Sequence, residues 1–75
     1  MRQDIWDRLV HNVLEFLAKG PFRPDEKVDE MGLDSLDFIQ LKSDIEDEFK
    51  IEVGIDDLAT CNVLSDVTAL IEGKI

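Results

Sequence analysis

The sequence predicts an all-α fold, a small four-helix bundle with three principal helices and one short helix. Apolar residues recur at helical spacing in three stretches, and no stretch alternates apolar and polar residues as a half-buried strand would. Hydrophobic residues make up 44% of the chain, which is enough to form a core and separates it from acidic disordered segments. The 75 residues correspond to one small domain, which we assign to residues 1–75.

The first helix is predicted from about Gln3 to Lys19. Its apolar residues fall within one half of the helical wheel: Ile5, Trp6, Leu9, Val10, Val13, Leu14, Phe16 and Leu17. His11 lies on the polar half, so we interpret it as a solvated side chain rather than a ligand or a base. Gly20-Pro21 is expected to end the helix, because proline does not continue a helix and glycine tolerates the geometry of a helix end.

A charged loop is predicted from Phe22 to Leu33. We expect three apolar side chains to hold it against the core: Val28, Met31 and Leu33. Gly32 allows a tight turn at the end of the loop. An anchored loop would restrict the orientation of the residue that follows the turn by three positions, Ser35.

The second principal helix is predicted from about Ser35 to Lys50, and its two faces differ. A core stripe recurs at i, i+3, i+7 and i+11: Phe38, Leu41, Ile45 and Phe49. The opposite face combines two aliphatic side chains with polar and acidic ones: Leu36, Ile39, Gln40, Ser43 and Asp47, with Asp37 and Asp44 at its flank. Carboxylates speed encounter with a basic protein surface, and a small apolar centre sets the register without slowing release. We interpret this surface as a docking face, the alternative being an ordinary solvated face.

Two further helices are predicted in the last third of the chain. A short one begins near Asp56 or Asp57 and runs to about Thr60. The last runs from about Val63 to Glu72, with Asn62 as its N-cap. Its apolar residues form one stripe: Val63, Leu64, Val67, Leu70 and Ile71.

The charge of the chain restricts its partners. Eighteen acidic residues against eight basic ones leave a formal charge of −10, which argues against nucleic acid and anionic membranes and favours basic protein surfaces. No stretch approaches membrane-spanning length, so we expect no membrane insertion. The start Met1-Arg2-Gln3-Asp4 lacks the apolar run of a signal peptide, and we therefore expect a cytoplasmic location.

No catalytic residue and no metal site are predicted. The chain has no glycine-rich phosphate loop and no metal-ligand spacing, and His11 is its one histidine. Cys61 is the one cysteine, which excludes an intramolecular disulfide. Because it has no flanking base and no second cysteine, we interpret it as a small core or surface residue rather than a reactive thiol.

The most informative motif is Gly32-Leu33-Asp34-Ser35-Leu36-Asp37, at the start of the second helix. A helix N-terminus has unpaired N–H groups and the positive end of the macrodipole, so a phosphate on Ser35 would be favoured there. Ser35 or Asp34 could instead be only an N-cap. A nucleophilic serine would need a neighbouring base and usually a Gly-x-Ser-x-Gly turn, which this motif lacks. We therefore interpret Ser35 as an attachment point modified by another enzyme.

This motif, the following Asp37-Phe38-Ile39-Gln40-Leu41 and the acidic helix resemble the acyl carrier proteins over essentially the whole chain. The resemblance implies an acyl-carrier-like bundle in which 4′-phosphopantetheine, derived from coenzyme A, is esterified to Ser35 and holds acyl groups as thioesters. It also implies that the chain is a carrier and not an enzyme, and that it is a substrate of a phosphopantetheinyl transferase. By motif position it assigns partner docking to Asp34, Leu36, Asp37 and Ile39, and more loosely to Asp44 and Asp47.

The resemblance further implies a free-standing monomer that serves acyl-loading, condensing and tailoring enzymes with basic docking surfaces. The pathway would be fatty acid, polyketide or specialised lipid or secondary-metabolite synthesis. Gln40 stands where an acidic residue is usual, Ser43 stands where a larger apolar residue is frequent, and the loop before Gly32 is short. These three departures make a specialised carrier credible. A peptidyl or D-alanyl carrier is an alternative. An acidic interaction or calcium-binding domain without a cofactor is a remote one, because no D-x-[DN]-x-[DN]-G run occurs.

Overall fold

Four helical segments surround one apolar core in the computed structural model, which describes residues 1–75. Helix α1 is α-helical over Gln3–Leu9, π-helical over Val10–Leu14 and α-helical again over Glu15–Leu17. The remaining helices are α2 at Ser35–Phe49, α3 at Ile55–Ala59 and α4 at Leu64–Glu72, and one 3₁₀ turn occupies Val28–Glu30 in the loop after α1. The predicted helical bundle is confirmed, and no strand is present beyond an isolated bridge between Lys27 and Val63.

The core consists of fourteen buried apolar residues: Ile5, Leu9, Val13, Leu14, Val28, Leu41, Ile45, Phe49, Val53, Leu58, Cys61, Leu64, Val67 and Ile71. The predicted stripe on α2 supplies three of them, and its first member, Phe38, is half-buried against the cluster. Trp6 is likewise half-buried rather than central. Each fully buried Leu or Ile side chain contributes roughly 1.5–3 kcal/mol relative to an exposed one.

Phe16 departs from the sequence prediction, since it is 79% exposed instead of facing the core. On an ideal α-helix with about 100° per residue, Phe16 would lie between Ile5 and Leu9 on the wheel. The π-helical segment over Val10–Leu14 has i→i+5 hydrogen bonds and therefore turns less per residue. Residues after it are rotated relative to the ideal wheel, which carries Phe16 out to solvent.

Helix α1 also ends earlier than predicted, at Leu17 instead of Lys19. Ala18 is already extended, with φ −149° and ψ 172°. Phe22 packs against the core a few residues later. The chain therefore turns back toward the bundle between Ala18 and Phe22, across the Gly20-Pro21 pair.

The loop between α1 and α2 is anchored as predicted. Val28 is buried, and Met31 and Leu33 are half-buried against the core. The loop backbone also pairs with the start of α4, because the Glu26 carbonyl accepts from the Leu64 N–H at 3.0 Å and the Pro24 carbonyl from the Ser65 N–H at 2.8 Å. These bonds satisfy N–H groups that a helix start leaves unpaired.

The N-cap of α4 is Val63, which corrects the prediction of Asn62. The Asp66 carboxylate accepts hydrogen bonds from the backbone N–H groups of Asn62 at 3.0 Å and Val63 at 3.2 Å. Because Asp66 and the loop carbonyls satisfy the backbone here, the start of this helix does not need a capping side chain from Asn62. The short helix α3 begins at Ile55, one residue before the predicted start.

Arg8 joins α1 to the end of α2. Its guanidinium donates to the Glu48 carboxylate at 2.9 Å and to the Glu48 carbonyl at 2.6 Å, and its Cζ lies 4.5 Å from the centre of the Phe49 ring. Asn12 donates a further bond to the same carboxylate at 3.0 Å. The hydrogen bond from Arg8, and then that from Asn12, holds the pKa of Glu48 below its usual value.

Candidate attachment site and docking face

Two carboxylates cap the N-terminus of α2. Asp34 is the N-cap, and its side chain accepts the Asp37 N–H at 2.8 Å. The Asp37 side chain in turn accepts the Asp34 N–H at 3.3 Å, which completes a capping box. The sequence left open whether Asp34 or Ser35 is the cap, and the structure assigns that role to Asp34.

Ser35 is the first residue of α2, and its side chain is exposed. Because Asp34 and Asp37 make the capping bonds, the Ser35 hydroxyl is not used to hold the helix end. Gly32 has a positive φ of 75°, a conformation that glycine adopts without strain, and the turn there leads directly into the cap. The arrangement presents a free hydroxyl at the positive end of a fifteen-residue helix.

An apolar groove of about 330 Å³ lies beside this hydroxyl. Its lining comes from two helices: Ser35, Phe38 and Ile39 of α2, and Ile55 and Ala59 of α3. The sequence analysis did not identify Ile55 and Ala59, since nothing in the local pattern shows where α3 packs. The available signal was an isoleucine directly before two aspartates at the start of the short helix.

The docking residues predicted on α2 are accessible at its surface. Leu36 and Ile39 are 75% and 53% exposed. Asp34 and Asp47 are also exposed, whereas Asp37 and Asp44 are half-buried. Asp37 is engaged in the cap, and Asp44 accepts a hydrogen bond from Gln40 at 2.7 Å. From Leu36 to Asp47 the face extends roughly 16 Å along the helix axis.

The other reactive residue types occupy structural or solvent positions. Cys61 is 9% exposed, and burial, followed by the nearby charges of Asp66 and Asp57, raises the pKa of its thiol. His11 is exposed, with Nδ1 3.3 Å from the Glu15 carboxylate. No three of the His, Cys, Asp and Glu side chains converge as a metal site would require. None of the helices is both long and apolar enough to cross a membrane.

An acidic helical bundle with a free serine hydroxyl at a helix start is the arrangement expected of the class of proteins that carry phosphopantetheine. A family model described as a phosphopantetheine attachment site matches residues 7–71. The chain is 30% identical to an acyl carrier protein of Thermotoga maritima, over 99% of this chain and 95% of that one. It is 34% identical to an acyl carrier protein homolog of Mycoplasmopsis pulmonis, over 81% and 84%. It is 29% identical to an acyl carrier protein of Exiguobacterium, over 100% and 89%.

The chain belongs to the acyl carrier protein family. It is a carrier protein and not an enzyme, and its cofactor is 4′-phosphopantetheine. Membership implies interaction with a modifying enzyme and with biosynthetic enzymes. The start of α2 fits this cofactor, because a free hydroxyl, a helix N-terminus suited to a phosphate and an apolar groove lie together there.

Proposed function

We propose that Ser35 carries the 4′-phosphopantetheine and that the chain presents acyl groups to enzymes of fatty acid, polyketide or specialised lipid or secondary-metabolite synthesis. The observation that carries the assignment is the Asp34–Asp37 capping box, which leaves the exposed Ser35 hydroxyl free. Family membership supports the cofactor, and the position of this serine at the start of α2 supports the site.

Attachment forms a bond between Ser35 Oγ and the phosphorus of coenzyme A that bears the pantetheine. The phosphoanhydride bond of coenzyme A breaks, the nucleotide part leaves, and the hydroxyl proton passes to the transferase or to solvent. When bound, the group supplies a terminal thiol that holds an acyl chain as a thioester. The first N–H groups of α2 favour the negative charge of the phosphodiester at Ser35.

The groove beside Ser35 gives the acyl cargo a place to rest. Phe38, Ile39 and Ile55 present apolar surface within it. Each CH₂ group that leaves water there gains roughly 0.8 kcal/mol. Deeper entry would have to separate side chains that are already packed, because Ile45 and Leu64 are at most 1% exposed.

The docking face consists in this proposal of Asp34, Leu36, Asp37 and Ile39, with Asp44 and Asp47 farther along α2. Partners are a phosphopantetheinyl transferase and acyl-loading, condensing and tailoring enzymes that present basic surfaces. Tethering raises the effective concentration of the cargo at each partner. The charge of −10 supports basic partners and a monomeric carrier, because copies of the chain repel each other.

A specialised pathway is supported by the two departures from the commonest family pattern that lie on α2. Gln40 and Ser43 are both exposed on α2, so both changes alter the face offered to partners and not the core. Gln40 also donates to Asp44 at 2.7 Å, which uses one of the docking carboxylates internally. A partner suited to this face would meet fewer free carboxylates than the usual pattern provides.

The proposed site is tested by intact mass after incubation with coenzyme A and a broad-specificity phosphopantetheinyl transferase. The wild type should gain one phosphopantetheine and Ser35→Ala none. Ser43→Ala is the matched control, since it removes another exposed hydroxyl from the same helix, and it should load like the wild type. Loading of Ser35→Ala would refute the assignment, as would failure of the folded wild type with every transferase tried.

A further inference from the structure

Phe16 is the most exposed large hydrophobic side chain of the protein, at 79%. It borders a surface depression of about 390 Å³ whose other lining residues are polar or acidic: Asn12, Asp44, Asp47 and Glu48. Asp44 and Asp47 follow Ser35 by nine and twelve positions, so the depression lies roughly 14–18 Å along α2 from the attachment site. It is therefore a surface separate from the groove beside Ser35.

The protein already shows what such a combination of groups binds. Arg8 lies over the ring of Phe49 at 4.5 Å while it donates to the Glu48 carboxylate at 2.9 Å. An aromatic ring next to a carboxylate thus holds a guanidinium within the fold, by cation–π attraction and charge-assisted hydrogen bonding. The depression presents the same two groups, the ring of Phe16 and the carboxylates of Asp44 and Asp47, and neither carboxylate is in an ion pair. The hydrogen bond from Gln40 occupies only Oδ1 of Asp44.

We propose that Phe16 extends the docking face at Asp44 and Asp47, and that these three residues receive an arginine side chain from a basic partner protein. The guanidinium stacks on the Phe16 ring and donates to the carboxylates. This inference rests on the proposed function, since the partner is one of the enzymes that the carrier visits. A second copy of this chain is disfavoured as the occupant because each copy carries a formal charge of −10. The same charge disfavours an anionic lipid surface.

The π-helical segment is what makes this surface available. It rotates Phe16 away from the core, where an uninterrupted α-helix would place it. Truncation of Phe16 therefore leaves no cavity in the core. We expect Phe16→Ala and Phe16→Leu to fold with the thermal midpoint of the wild type, within the small range typical of surface substitutions.

The test is titration of the ¹⁵N-labelled full chain with a synthetic peptide of alternating leucine and arginine, followed by amide chemical shifts. The largest shifts should centre on Asn12, Phe16 and Asp47. Phe16→Leu keeps an apolar side chain but loses the ring, so it should raise the Kd by about two- to fivefold. A peptide with lysine in place of arginine should bind more weakly, because an ammonium cannot stack on the ring as a planar guanidinium does. Ile75→Ala, which removes another exposed apolar side chain, should leave the Kd unchanged.

Shifts spread evenly over all acidic surfaces, or a Kd unaffected in Phe16→Leu, would overturn the proposal. So would a concentration-dependent dimer abolished by Phe16→Ala, because the occupant would then be a second copy. Failure of the proposed function is distinguishable from failure of this inference. If Ser35 is the attachment site, Ser35→Ala binds the peptide with the wild-type Kd and gains no phosphopantetheine, whereas Ile75→Ala gains it at the wild-type level. Loading of Ser35→Ala would refute the proposed function and leave the peptide result standing.

Discussion

Asp34 and Asp37 bond each other's backbone across the first turn of α2, with Asp34 accepting at 2.8 Å and Asp37 at 3.3 Å. Ser35, the proposed attachment residue, lies between them and is thereby held at a defined helix start while its hydroxyl stays free. A capping serine could not offer its oxygen to another enzyme without giving up the cap.

Replacing Asp34 tests the energetic role of this cap. Asp34→Ala removes the acceptor for the Asp37 N–H and should lower the free energy of unfolding by about 1 kcal/mol. In a domain of this size the melting temperature should fall by roughly 4–8 °C. Asp34→Asn keeps a capping oxygen and should retain most of the stability in the same thermal scan. An equal loss of stability in Asp34→Ala and Asp34→Asn would contradict a capping role.

Replacing Leu36 tests the proposed docking face. Its side chain is 75% exposed, so Leu36→Ala should melt like the wild type. If Leu36 contacts the phosphopantetheinyl transferase, truncation should raise the KM for the carrier by about fivefold, which corresponds to about 1 kcal/mol. Ile75→Ala, at 60% exposure, is the matched apolar control. An unchanged KM in Leu36→Ala would remove this residue from the interface with that enzyme.

Truncation of Leu41 should lower the free energy of unfolding far more than truncation of Ile39, two positions away on α2. Leu41 is 1% exposed and Ile39 is 53% exposed. Leu41→Ala should cost about 2–5 kcal/mol through lost burial and a cavity, a large part of the stability of a small domain. Ile39→Ala should change the unfolding free energy by no more than about 0.5 kcal/mol. Urea denaturation measures both, and a comparable loss in Ile39→Ala would mean that Ile39 belongs to the core.

Glu46 should make stability depend on acidic pH. The Val53 N–H donates to its carboxylate at 2.9 Å and Lys42 donates at 2.9 Å, and these bonds lower the pKa of Glu46 in the folded state. A lowered folded-state pKa stabilises the fold above the ordinary glutamate pKa of about 4.3 and loses that contribution as the pH falls through the folded value. The deficit in melting temperature of Glu46→Gln relative to the wild type should therefore be largest near neutral pH and shrink below about pH 4.3.

Glu52→Gln is the control for this comparison, because it removes one negative charge from an exposed side chain that makes no hydrogen bond. It should melt like the wild type or slightly higher near neutral pH, since the chain carries a formal charge of −10. If the melting temperature of Glu46→Gln lies below that of the wild type by the same amount from neutral pH to pH 3, the charge of Glu46 does not contribute to stability.

Cys61 should be protected from alkylation in the folded protein. It is 9% exposed, and burial raises the pKa of its thiol, so little reactive thiolate forms at neutral pH. Iodoacetamide should modify it slowly in buffer and rapidly in denaturant, with intact mass as the measurement. In the destabilised Leu41→Ala variant the rate in buffer should rise. Rapid modification of the native wild type would contradict a buried structural role.

The helices of this protein could be predicted from the sequence because their apolar residues recur at helical spacing. The stripe from Phe38 to Phe49 identifies both α2 and its buried face, and Leu36 and Ile39 follow as the exposed ones. Ser35 could be singled out because its motif begins a helix. Local periodicity and helix-end chemistry act within a few residues, so the chain itself contains this information.

Tertiary structure decided the features that depend on which segments meet. Phe16 is exposed because a π-helical turn breaks the uniform rotation that a helical wheel assumes. Val63 replaces Asn62 as the N-cap of α4 because Asp66 and the carbonyls of a distant loop satisfy the backbone there. The groove beside Ser35 needs Ile55 and Ala59, which reach it only when α3 packs against α2. Sequence alone determined a serine at the start of an amphipathic helix, whereas packing between helices determined the surfaces that surround it.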